Sequence, residues 1–281
     1  MSKPIKTVGL LPNRSKEASI KKALEIADIL NRKGIAVKAP DWLEQCPKVS
    51  CDVFEGTDVL FVFGGDGTVL GAAKKASMKG IPIFSINTGK IGYLTSLEEN
   101  DPFDADSFIE GKFSIEKRMM IDCEIIRKGR TVFKDSALND FVVSKGSLSR
   151  MLDFRLYCGT EDYMEYRADA MIVSTPTGST AYSMSAGGAV IDPSLECIQV
   201  TPICPYSLSG ARHMIFSPLS TITVNVAETN NSEAWLTGDG SSSFHLESGD
   251  NIVIRRSRKE ASLIKMNTKT FCDVLVSKLN G

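Results

Sequence analysis

Five consecutive apolar residues, Val59 to Phe63, run straight into Gly64-Gly65-Asp66-Gly67-Thr68 and then into a helix-like stretch, Val69 to Lys79. An apolar run of that length reads as a strand buried on both faces. Glycines where a strand turns into a helix permit very close backbone approach. The new helix start offers free N–H groups and a partial positive charge, which suit phosphate. A lone carboxylate there would repel the same ligand. Asp66 therefore needs another task, either taking a proton from an attacking hydroxyl or holding a metal ion. The combination points to phosphoryl-transfer chemistry.

The flanking sequence repeats the strand–helix rhythm. Thr7 to Leu11 reads as a buried strand ending at Pro12-Asn13, and Ser15 to Lys33 as an amphipathic helix with Ile20, Leu24, Ala27 and Leu30 on one face. Gly34 closes that helix, and Ile35 to Lys38 and Ile81 to Ile86 supply further strands. This βαβ order implies a parallel sheet covered by helices, with Asp66 at the carboxyl end of a strand, where open α/β sheets bind ligands. Beyond Lys117 the pattern becomes short strands between turns: Ile121 to Ile126 and Thr131 to Lys134 around a hairpin turn, then Phe141 to Ser144, Met151 to Tyr157 and Tyr163 to Arg167. Thr221 to Ala227, Ala234 to Thr237, Asn251 to Arg255 and Ser262 to Lys265 continue the series. The tail, Thr270 to Leu279, has Phe271, Val274, Leu275 and Lys278 at helical spacing and could dock back on the first domain. The expected fold class is an α/β N-terminal domain with a parallel sheet plus a β-rich C-terminal domain. The expected division is residues 1–117 with 267–281, and residues 118–266.

Composition narrows the function. A net charge of -1 implies no broad basic face for nucleic acid, and the longest apolar runs are strand-length, so no membrane partner is expected. The N-terminus lacks an apolar stretch like that of a signal peptide. Seven cysteines, an odd number without a Cys-x-x-Cys pair, argue against a disulfide framework or zinc site and fit a reducing, cytoplasmic setting. Two histidines, His213 and His245, make a histidine-rich metal site or a Ser-His-Asp triad a poor fit. No residue is singled out as a metal ligand.

Three more segments carry chemistry. Asn87-Thr88-Gly89-Lys90-Ile91-Gly92 leaves the fourth strand beside the first turn, and Asn87 offers both donor and acceptor groups. Asn139-Asp140 sets an amide beside a carboxylate before a strand, suited to an adenine edge and to ribose hydroxyls; an Asx turn is the plainer reading. Asp169 to Tyr182 runs from a short strand into a hydroxyl-rich turn, with five hydroxyl side chains between Ser174 and Thr180. Such a cluster could bind a polar ligand without adding charge. Asp239-Gly240 reads as a plain turn.

Taken together and in this order, these segments resemble those of the NAD kinase family. The run Asp169-Ala170 through Ser174-Thr175-Pro176-Thr177-Gly178-Ser179-Thr180-Ala181-Tyr182 is nearly intact, and the resemblance extends from about Thr7 to Leu279. It implies transfer of the γ-phosphoryl group of ATP to the 2′-hydroxyl of the adenosine ribose of NAD, with Mg²⁺ (or another divalent cation) accompanying ATP. By the same resemblance Asp66 takes the hydroxyl proton, while Gly64, Gly65, Gly67 and Thr68 cradle phosphates and the Asn87 loop contributes to the nucleotide site. Asn139 and Asp140 would meet adenosine, and Asp169 the nicotinamide side. Thr180, Ala181 and Tyr182 would line the dinucleotide pocket, with Ser185 just beyond. Homodimers or homotetramers are common in the family, and a neighbouring subunit often completes the NAD site.

The chain departs from the family pattern at Asp140 (usually Glu), Ala170 (Gly), Tyr206 (often His) and Ser241 (often Gln). The glycine-rich turn also occurs in diacylglycerol and sphingosine kinases and, in related form, in phosphofructokinases. The Asn139-Asp140 pair and the Thr177 to Tyr182 run fit a dinucleotide better. A dinucleotide sensor without turnover would not need Asp66.

Overall fold

In the computed structural model the described residues are 4–43, 46, 49–50, 52–89, 92–146, 150–206, 212–226, 233–266 and 269–280. The chain forms two compact units, Met1–Lys117 with Ala261–Gly281, and Arg118–Glu260.

The first unit follows the strand–helix alternation read from the sequence. Its elements are β1 (Thr7–Pro12), α1 (Glu17–Arg32), β2 (Ala36–Pro40), β3 (Val49–Ser50), β4 (Val59–Phe63), α2 (Asp66–Lys79), β5 (Ile83–Asn87), β6 (Leu97–Glu98) and α3 (Ala105–Ile109). The strand order is β3-β2-β1-β4-β5, with β6 also beside β5, and every pairing is parallel. The chain steps outward from β1 to β2 and then returns to β1's other side with β4. That reversal makes the carboxyl ends of β1 and β4 a topological switch point. All five residues of β4 are buried, as their unbroken apolarity requires.

The buried stripe of α1 is Ser19, Ala23, Ile26, Ala27 and Leu30. Ile20 and Leu24 lie at its border, only partly buried, so the inward face is rotated from the one read in the sequence. A polar contact accounts for the rotation. The Ser19 hydroxyl donates to the Phe63 carbonyl at 3.0 Å and lies 2.6 Å from Thr88 Oγ1, which draws this serine into the core.

The second unit is β-rich. It begins in β7 (Ser114–Arg127), continues through β8 (Arg130–Ala137), β9 (Asp140–Lys145), β10 (Leu152–Cys158), β11 (Glu161–Ala168), β12 (Ala170–Ser174), α4 (Tyr182–Ser185), β13 (Ile198–Ile203), β14 (Met214–Phe216), β15 (Ile222–Val226), β16 (Ala234–Gly238) and β17 (Ser242–Leu246), and ends in β18 (Asn251–Lys265). One sheet runs β14-β13-β12-β9-β16-β17, antiparallel throughout. Another set pairs β11-β10-β15-β18 antiparallel. Alternate residues such as Leu152, Phe154 and Leu156 from one sheet meet Phe141, Val143, Met171 and Val173 from the other in a single core. The two strands read from Asn251 and Ser262 are one strand, β18, whose last residues return to the first unit and pair parallel with β5 at Leu263 and Ile83. Helix α5 (Phe271–Leu279) follows, opened by a capping box between Thr270 and Asp273. Among the described residues no helix is long and apolar enough to cross a membrane.

An aromatic cluster fixes the core of the first unit. The Phe61 ring sits 4.8 Å from Phe84, 5.1 Å from Phe108 and 5.6 Å from Phe103, edge-on to each. Phe61→Ala is expected to cost about 3–5 kcal/mol of folding stability. Urea unfolding checks this, and a loss below about 1 kcal/mol would show that the cluster does not anchor the sheet.

Candidate active site

The glycine-rich turn lies where β4 becomes α2. Gly65 is the N-cap in extended backbone, no side chain caps the helix, and Asp66 is its first residue. A helix start leaves its first amides open to an anion, although that of Thr68 already donates to the Gly65 carbonyl at 2.9 Å. Beside them is a crevice of about 560 Å³ lined by Leu11, Pro12, Asn13, Lys16, Gly65, Gly67, Thr68 and Gly71. It occupies the switch point between β1 and β4. Asn13 and Lys16 belong to no motif in the sequence and become functional candidates through this placement. Asn13 Nδ2 donates to Thr68 Oγ1 at 3.4 Å, which ties the loop after β1 to the turn after β4.

Asp66 is held by the neighbouring loop. The backbone N–H of Tyr93 donates to its Oδ2 at 3.0 Å, and that of Leu94 to its Oδ1 at 3.0 Å. Gly92 makes this approach possible, since a Cβ at that position would lie 2.4 Å from Asp66 Oδ1. Asn87 is fully buried and builds the same loop: its Nδ2 donates to Glu98 Oε2 at 2.7 Å, and its Oδ1 accepts from the Gly89 amide at 3.1 Å. Lys90, named within this loop from the sequence, lies outside the described residues.

In the second unit Asn139 stands just before β9, Asp140 opens it, and Asp140 is 5% exposed. Their brace is a residue of what reads as a plain turn. Asp239, at positive φ in the turn between β16 and β17, accepts from the amides of Leu138 (2.8 Å), Asn139 (2.8 Å) and Asp140 (3.2 Å). Three amides on one carboxylate fix the strand end at which Asn139 and Asp140 stand. Gly178 closes on the other side, where a Cβ would sit 2.1 Å from the Asn139 carbonyl oxygen.

The hydroxyl-rich run largely faces inward. Thr175 Oγ1 donates to the Leu138 carbonyl at 2.6 Å and accepts from the Gly178 amide at 3.1 Å. Ser179 Oγ donates to the Pro176 carbonyl at 2.6 Å and accepts from the Ile191 amide at 2.9 Å. Thr180 Oγ1 donates to the Thr177 carbonyl at 3.2 Å. These hydroxyls build the turn, while Ala181 is partly buried and Tyr182 and Ser185 are exposed beyond it. Asp169 is ion-paired with Lys145 at 2.8 Å.

The predicted site residues therefore fall into two groups. Gly64, Gly65, Asp66, Gly67, Thr68 and Asn87 gather in the first unit. Asn139, Asp140, Asp169, Thr180, Ala181, Tyr182 and Ser185 belong to the second.

Known families match both units. Residues 8–113 match the ATP-NAD kinase N-terminal domain and residues 138–266 the ATP-NAD kinase C-terminal domain. The chain belongs to the ATP-NAD kinase family. An NAD kinase of Acetivibrio thermocellus is 36% identical over 281 residues, covering 97% of this chain and 96% of that protein. One from Symbiobacterium thermophilum is 40% identical over 225 residues, covering 80% and 79%. Among solved structures, an NAD kinase from Archaeoglobus fulgidus in complex with ATP aligns with a TM-score of 0.74 at 25% identity, covering 98% of this chain and 99% of that one. Yeast NADH kinase complexed with NADH shares the fold, with a TM-score of 0.89 at 22% identity over 99% of this chain and 88% of that one. The kinase is an ATP-dependent NAD phosphotransferase with an α/β N-terminal and a β-rich C-terminal domain.

Burial, and after it the charge of Asp239, pushes the Asp140 carboxyl up to about 7. The folded kinase keeps that proton up to about pH 7, whereas the unfolded chain releases it near 3.8. Native protein thus holds the extra proton between those values, so Asp140 makes stability fall as pH rises from about 4 to about 7, with no further slope above. Asp140→Asn is expected to gain stability relative to wild type across that window in urea unfolding. A difference that stays constant from pH 4 to pH 7 would contradict the assignment.

Proposed function

We propose that the two residue groups divide the NAD kinase reaction between them. The ATP phosphates lie in the crevice at the β1–β4 switch point, on the first-turn amides of α2, with Gly64, Gly65, Gly67 and Thr68 close to them. Asn13 and Lys16 add a side-chain amide and a cation on the facing wall. The residue 139–140 pair receives the adenosine of NAD, Asp169 the nicotinamide side, and Thr180, Ala181, Tyr182 and Ser185 line the rest of the dinucleotide pocket. Asn87 supports the site by shaping the loop that holds Asp66.

Asp66 orients the 2′-hydroxyl of the adenosine ribose and accepts its proton as the oxygen attacks the γ-phosphorus. The bond from that phosphorus to the bridging oxygen of ADP breaks, giving NADP and ADP. An ordinary carboxylate is a weak base for an alcohol, so proton transfer comes late and positioning supplies most of the rate. The observation that carries this reading is the Asp66 carboxylate, fixed by two backbone amides in the first turn of the helix that borders the crevice.

Among the described residues no three His, Cys, Asp or Glu side chains gather as a metal cluster. Mg²⁺ keeps several waters and is usually bound through substrate phosphates and one or two carboxylates. The cation would arrive on ATP, with Asp66 the near carboxylate, and neutralise charge on the phosphoryl oxygens. The kinase would act as a homodimer or homotetramer in the cytoplasm.

NADP formation from NAD, ATP and Mg²⁺ tests the roles. Asp66→Asn is expected to lower kcat by about 10²–10⁴-fold while sparing most NAD affinity. Wild-type turnover in that variant would reject Asp66 as the base. Asp169→Ala is expected instead to weaken NAD binding by about tenfold or more in calorimetry, the cost of losing one charge-assisted hydrogen bond. Unchanged affinity would remove that residue from the pocket.

A further inference from the structure

Helix α5 has no buried residue, yet it is capped and in contact with the catalytic turn. Its Phe271 ring lies 6.3 Å from that of Tyr93. Two turns later, on the same face, Lys278 Nζ sits 3.8 Å over the Tyr93 ring and 3.5 Å from Asp66 Oδ2. Tyr93 is also the residue whose amide holds that same oxygen. The last turn of the chain therefore delivers a cation to the carboxylate and to the loop that grips it.

Core burial does not explain this docking, and the ion pair adds little stability. Lys278 and Asp66 are partly buried, at 27% and 28% exposed, and an ion pair that water still reaches contributes about 0–1 kcal/mol. The geometry does explain something else. Two amides reach Asp66 from one side, Tyr93 N to Oδ2 and Leu94 N to Oδ1, and a third contact from another element limits rotation of the carboxylate plane. A group that must meet a ribose hydroxyl within hydrogen-bond reach gains rate from such restraint, since a misplacement of about 1 Å can cost on the order of 100-fold.

We propose that Lys278 is a positioning residue for the phosphoryl transfer: its ammonium, carried by the C-terminal helix, orients the Asp66 carboxylate and clamps the Tyr93 loop beneath it. The proposal rests on the reading of Asp66 as the proton acceptor.

The test is a mutant cycle on the full chain, with NADP formation followed at varied NAD and MgATP. Lys278→Met is expected to lower kcat by about 10- to 100-fold. Its KM values for both substrates should move less than about threefold, and its melting temperature should stay within about 2 °C of wild type, as for an ion pair that water still reaches. Lys278→Arg should restore most of the rate, because it returns a cation to the same place. In the Asp66→Asn background Lys278→Met should cost little more, since a residue acting through Asp66 has nothing left to orient. Wild-type kcat in Lys278→Met while Asp66→Asn is impaired would overturn the role of Lys278 alone. So would a full multiplicative loss in the double variant, or a loss expressed only in KM for MgATP. Wild-type rates in Asp66→Asn would instead overturn the reading on which the proposal stands.

Discussion

Both oxygens of Asp66 are held by backbone amides of the loop that leaves the neighbouring strand. That interaction joins the fold of the first unit to the carboxylate proposed as the base. It requires β4 and β5 to lie side by side in parallel, so that the turn after one meets the loop after the other; Phe63 pairs with Ile86 at the last register position. It also requires Gly92, where a side chain would collide with the carboxylate. Asn87 completes the arrangement from inside the core by fixing the start of the same loop. The sheet thereby sets the direction of one carboxylate.

A parallel logic governs the second unit, where Asp239 does for the residue 139–140 segment what the Tyr93 loop does for Asp66. One ionised group accepts three amides and pins a strand end. The cost falls on Asp140, which is buried within reach of that charge and holds its proton well above the usual carboxylate range. A side chain in that state can donate a hydrogen bond as well as accept one, a property the sequence letter alone does not reveal.

The fold was legible wherever local pattern and tertiary environment agree. Val59 to Phe63 is apolar throughout because β4 is covered on both faces, and the glycine-rich turn follows because α2 must start within one step of the sheet. Legibility failed where the environment overrides local pattern. The stretch Arg256 to Ala261 looks like a break between two strands, yet β18 runs through it, with Arg256 paired to Glu196 and Glu260. The hydroxyls of Thr175, Ser179 and Thr180 read as one polar cluster, and the fold gives each a backbone carbonyl as well, Leu138 for Thr175 and carbonyls of the same turn for the other two. Asp239 passes for an ordinary turn residue because the amides it holds lie about a hundred positions earlier in the chain. Asn13 and Lys16 acquire meaning only once the strand order puts β1 beside β4.

The direction of one carboxylate with both substrates bound is what the reaction turns on. A crystal structure of the kinase with NAD, Mg²⁺ and a non-hydrolysable ATP analogue measures this directly. An Asp66 carboxylate oxygen is expected at about 2.6–3.2 Å from the 2′-oxygen of the adenosine ribose, with the γ-phosphate in line beyond it. An adenosine ribose bound away from Asp66, with that carboxylate still turned wholly onto the Tyr93 and Leu94 amides and out of reach of the 2′-oxygen, would contradict it.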